Sequence, residues 1–148
     1  MQDDAARCGG NGTGEAMLRF FPFMVLAVIA YAVAVAVLGL PLTNELIGFN
    51  LPSGTRFALT VSECLLAIAT IVLFFEIMNA TSAKSSSIIN HGMSMLVFIA
   101  CFVAFLLVPG FGTGTFLVIT LIALVDVVAG YSISILTARR DMTFGQQD

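Results

Sequence analysis

Charge is what this sequence has least of. Lysine, arginine, aspartate and glutamate make up 10% of its 148 residues, where a soluble domain carries about a quarter. That scarcity excludes a water-soluble globular domain and a disordered tail. Six basic residues against nine acidic ones leave a net charge of −3. No positive field exists to hold a phosphate backbone, so nucleic acid is not an expected partner. Histidine is nearly missing: His91 is the single one, which excludes bis-histidine haem ligation within one chain and leaves no expected metal or cofactor. The three cysteines, Cys8, Cys64 and Cys101, have no short spacing. They form neither a disulfide framework nor a zinc pattern.

What is present is apolar: 59% of the chain is hydrophobic. Four runs carry that excess, at 20–40, 57–78, 92–109 and 115–137. Each is close to the roughly 20 residues a helix needs to cross about 30 Å of hydrocarbon. The alternation of Ala and Val over Ala32–Val37 imitates a strand, but a lone strand would leave backbone groups unpaired in lipid. The acids Glu63 and Asp126 do not veto their runs. Twelve and thirteen Leu, Ile, Phe or Val residues respectively offset the cost of about 3 kcal/mol for a central carboxylate.

The predicted fold is therefore an all-α integral membrane four-helix bundle, up-down-up-down, forming one domain over 1–148. Pro41–Gly54 is the longest connection, with the apolar Leu46–Leu51 suited to the membrane interface. Gly110–Gly114 is a glycine turn that makes the third and fourth helices antiparallel neighbours. The polar tails 1–15 and 141–148 are expected to be flexible. Arg7, Arg19, Lys84, Arg139 and Arg140 fall on one side and Arg56 alone on the other. The positive-inside rule then puts both termini in the cytoplasm. A competing reading treats the first run as a signal peptide, with Ala32-Val33-Ala34 as cleavage site. The run continues to Leu40, longer than a usual signal core, and retention is expected.

The polar residues inside these runs are the candidate site. Asp126 lies near the predicted bilayer centre, where a carboxylate must pair, reach water or stay protonated. Its helical neighbours Ala123, Ala129 and Gly130 form a small face of the kind that turns toward other helices. Glu63 shares a stripe with Thr60, Ala67 and Thr70. Tyr31 falls near the level of Asp126 and is its first expected partner, with Glu63 the second. Glu76, Lys84, His91, Arg139 and Arg140 read as a charge layer at the cytoplasmic rim.

The stretches Phe75-Glu76-Ile77, Ser87 to His91, Thr115-Phe116-Leu117 and Asp126 to Asp141 resemble those of short four-span hypothetical proteins of proteobacterial inner membranes. The resemblance covers about the C-terminal half and implies architecture and a bacterial inner-membrane location, with no activity attached.

Two functions are compatible with these residues. One is a non-enzymatic accessory, assembly or scaffold component, its partners being the lipid bilayer and subunits of a larger membrane complex. The other is a small proton- or cation-coupled transporter or channel subunit using Glu63 and Asp126. An enzyme is not expected, because the sequence offers no nucleophile–base pair and no metal cluster.

Overall fold

The computed structural model describes residues 22–82 and 87–144, with side chains at 22–81 and 92–136. The protein is predominantly helical. Helix α1 (Met24–Ala32) passes into a π-helical segment, Val33–Val37, where the Leu38 N–H donates to the Val33 carbonyl at 2.9 Å. The Ala/Val alternation is thus helical. Gly39 ends it at φ 59°, and the Leu40 N–H reaches back to the Ala34 carbonyl at 3.0 Å. A left-handed glycine after the last turn is a common way to bring N–H groups back to terminal carbonyls, and the π-helical widening makes this closure one residue longer than usual.

Two strands follow, β1 (Glu45–Asn50) and β2 (Arg56–Thr60), paired antiparallel with Phe49 opposite Phe57 and Ile47 opposite Leu59. This hairpin is a departure from the all-α expectation. The second run was expected to be helical from Phe57, whereas Phe57–Thr60 belongs to β2 and the helix starts at Val61. The local chemistry explains it. Pro52 and Gly54, the latter at φ 81°, turn the chain, and the Leu51 N–H donates to the Thr55 carbonyl at 2.9 Å. Thr60 and Glu63 then form a reciprocal capping box. The Thr60 N–H donates to Glu63 Oε2 at 2.6 Å, and the Glu63 N–H donates to Thr60 Oγ1 at 3.4 Å. Such a box sets where a helix begins.

Helix α2 (Val61–Ser82), helix α3 (Ser87–Leu107) and helix α4 (Gly114–Phe144) complete the described chain. Helix α3 starts before the expected 92. Helix α4 runs past 137, so residues 141–144, expected in a flexible tail, are helical. The tail 1–15 lies outside the described residues.

Helix α4 packs against the other three, and α1 also packs on α2 and α3. The buried stripe of α2 is Val61, Leu65, Ala69, Glu76 and Ala80, at helical spacing. Ala27 on α1, Ala34 on the π-helical segment, Ala69 on α2 and Ala123 on α4 are buried in the same core, and their size lets the helices approach closely. Two helices, over Val61–Thr81 and Gly114–Leu136, are long and apolar enough to cross a membrane.

Candidate functional site

Two polar layers interrupt this apolar core. The first lies at the turn between α3 and α4. Gly110, at φ 88°, exposes its carbonyl to the Tyr31 hydroxyl at 3.2 Å, and the same hydroxyl meets Thr113 Oγ1 at 2.6 Å. Thr113 in turn caps α4, its Oγ1 accepting the Phe116 N–H at 3.2 Å. Close by, the hydroxyls of Ser62 and Thr115 pair at 2.8 Å and join the starts of α2 and α4. The Tyr31 ring packs against Phe111 and Phe116, with ring centroids 5.4 and 4.8 Å away. An aromatic body with a hydrogen-bonded hydroxyl suits a buried tyrosine.

The second layer is acidic. Along α4, Asp126 lies about 16 Å below Thr115, and along α2, Glu76 lies about 21 Å below Ser62, at 1.5 Å per residue. Both carboxyls are buried, Glu76 to 3% exposure and Asp126 to 5%. Helix α1 starts without a side-chain cap of its own from Phe23 and without an acid in its first turn. Glu76 supplies what is missing: its Oε2 accepts the Met24 N–H at 2.9 Å, with the Phe23 amide alongside. Its other oxygen accepts the Ser94 hydroxyl of α3 at 3.3 Å. Asp126 of α4 is within electrostatic reach of the same carboxyl. One side chain of α2 thereby touches the start of α1, a hydroxyl of α3 and the field of an acid on α4. A carboxyl oxygen at a helix N-terminus meets unpaired N–H groups that need an acceptor.

The sequence-predicted residues are redistributed accordingly. Tyr31 is buried, but its hydroxyl serves Gly110 and Thr113 instead of the expected Asp126. Glu63 is exposed and closes its own helix through Thr60, so it does not meet Asp126. Thr70 is exposed and donates to the Leu66 carbonyl one turn back at 2.9 Å. The stripe of Glu63, Ala67 and Thr70 thus points away from the core. Glu76, expected at the cytoplasmic rim, is the buried hub. Lys84 and the side chains of His91, Arg139 and Arg140 lie outside the described residues. Sequence reasoning missed Ser94 altogether. The signal that finds Glu76 is its place seven residues after Ala69 and four before Ala80, on the inward stripe of α2.

Beside the acid layer an open groove of about 560 Å³ runs between α1 and α2, lined by Phe23, Leu26, Val72, Phe75, Met78 and Asn79. Its walls are apolar except for Asn79. Among the described residues, no three His, Cys, Asp or Glu side chains gather as metal ligands would.

Comparison of the chain with known protein families, with characterised proteins and with solved structures finds no significant match.

Proposed function

We propose that the chain is a four-span protein of a bacterial inner membrane, up-down-up-down with both termini cytoplasmic, acting as a non-enzymatic accessory or scaffold component of a larger membrane complex. Low burial of apolar helices supports the membrane reading. Only 22% of the best window in Val61–Thr81 and 39% of that in Gly114–Leu136 is covered within the molecule. A core helix of a soluble protein would be mostly covered. Here Ile71, Phe74 and Phe75 on α2, with Leu121, Val125 and Val128 on α4, face outward. Such an apolar surface is far larger than water tolerates.

The scaffold reading is carried by one observation: the buried carboxyl of Glu76 is committed to the main chain of α1 and to Ser94 of α3. Its hydrogen bonds hold helices together. With interior polar groups engaged in this way, the outward helix faces and the ends are what remain for partners. Affinity purification of the native protein from mild detergent, followed by identification of co-purifying proteins, is the test. A defined larger complex is the expected result. Recovery as a free species across several detergents would refute the reading.

A second reading has its own support. Asp126 and Glu76 are two buried acids within electrostatic reach of one another, and intramembrane acids commonly mark proton or ion paths. A proton- or cation-coupled transporter would use this pair, not Glu63 with Asp126. Flux in proteoliposomes that disappears in Asp126→Asn would favour it over the scaffold.

A further inference from the structure

The hairpin is the part of the molecule that the helical core does not use. Its two faces differ. By register, Ile47, Phe49, Phe57 and Leu59 stand on one face, while Gly48, Asn50, Arg56 and Ala58 stand on the other. The apolar face is open: Ile47 is 58% exposed, Phe49 54% and Phe57 42%, and the two phenylalanine rings pack side by side at 5.2 Å. On the polar face Arg56 pairs with Glu45 at 2.8 Å. It reaches that partner across Gly48, where an added Cβ would lie 3.5 Å from the guanidinium. The hairpin's two charges thus neutralise one another on the side opposite the phenylalanines.

Position decides what covers the apolar face. Strand β2 enters α2 with no linker between Thr60 and Val61. The Val61 N–H donates to the Asn44 carbonyl and the Ser62 N–H to the Leu42 carbonyl, each at 3.0 Å. Both ends of the hairpin are therefore tied to the start of α2. Leading into it, the last turn of the α1 segment exposes Val37 and Leu38, so the outward apolar surface of the helices continues to the hairpin's base. A hairpin held at the end of a membrane-spanning helix stands where water meets hydrocarbon. Its own two-sided chemistry matches that boundary.

We infer that the apolar face of the hairpin lies in the boundary between head groups and acyl chains of the leaflet where α2 begins, with the Glu45–Arg56 pair turned to the head groups. The occupant is phospholipid. The inference rests on the membrane reading above. An amphipathic segment lying in the interface is held by its buried apolar area, to which phenylalanine and leucine side chains contribute.

The chain has no tryptophan, so a single introduced one reports alone. Three variants, Phe49→Trp and Phe57→Trp on the hairpin face and Phe74→Trp on the outward face of α2, are reconstituted into phosphatidylcholine vesicles. The vesicles carry bromine on the acyl chains either near the head group or near the chain end. Phe49→Trp and Phe57→Trp are expected to emit to the blue of a water-exposed indole and to lose most emission to the shallow bromine. Phe74→Trp is expected to be quenched by lipid as well. Water-like, unquenched hairpin emission beside a quenched Phe74→Trp overturns the inference and leaves the membrane reading standing. Blue-shifted hairpin emission that bromine does not quench means a protein surface covers the face, and also overturns it. No quenching at any of the three positions removes the membrane reading, and the inference with it.

Discussion

Near Gly110 the helices are joined by hydroxyls; near Glu76 they are joined through carboxyls. Tyr31, Thr113, Ser62 and Thr115 can each donate and accept, so the hydroxyl layer satisfies itself with its own side chains, one turn carbonyl and the Phe116 N–H that Thr113 caps. The Glu76 carboxyl takes its donors from other helices, the unpaired N–H groups at the start of α1 and the Ser94 hydroxyl of α3. The contrast teaches that the same task, tying helices across an apolar core, costs little where groups are neutral and small. Where the group is an acid, its donors come from the start of a different helix.

The largest effect should come from breaking the acid layer. Glu76→Leu strips the start of α1 of its acceptor and leaves the Ser94 hydroxyl without one. A loss of about 2–3 kcal/mol is expected from one cap and its associated interhelix bonds, read as a lower unfolding temperature in detergent. Tyr31→Phe keeps the ring against Phe111 and Phe116 and removes only the hydroxyl. It should cost about 1 kcal/mol, and the same melt would show whether the hydroxyl layer is truly the cheaper one to break. If Tyr31→Phe proves more damaging than Glu76→Leu, the ranking of the two layers is reversed. Ser62→Ala deletes one member of an exchangeable hydroxyl pair and should cost about 0.6 kcal/mol. The smallest effect is expected for Asp126→Asn. Replacing the second acid beside Glu76 removes a like-charge neighbour and keeps hydrogen-bonding capacity, so the melt should stay level or rise. A clear drop would mean that the Asp126 charge itself holds the layer together.

The apolar runs behind all four helices were legible in the sequence because length and lack of charge are properties of composition. The boundary at Val61 has a signal in Thr60-x-x-Glu63 that the reading of a helix from Phe57 passed over, because Phe57-Ala58-Leu59 is as apolar as the helix that follows and hid the end of a strand inside a run. That error displaced the depth scale of α2. It made Glu63 look interior and Glu76 peripheral, the reverse of their burial. The inward face of Asp126 could be read from Ala123 and Gly130, since small residues mark where helices meet. Its neighbour could not be read, because which level of α2 stands beside it depends on where α2 starts. The pairing of Tyr31 with Thr113 needed the left-handed Gly110 turn, whose carbonyl direction no residue pattern announces.

The seal that Glu76 places on Met24 has a consequence for how the molecule is made. Helix α1 is the first of the described helices to leave the ribosome, yet the acceptor for its leading amide is encoded 52 residues later in the chain. Until α2 has arrived, that amide must find water or a head group. On the membrane reading proposed above, helix α1 would wait near the bilayer surface or tilt during synthesis, and sink to its final depth when α2 is released beside it. The helix synthesised first is settled only when a later one is in place, and a nascent chain stalled before Glu76 would present an incomplete helix end to quality control.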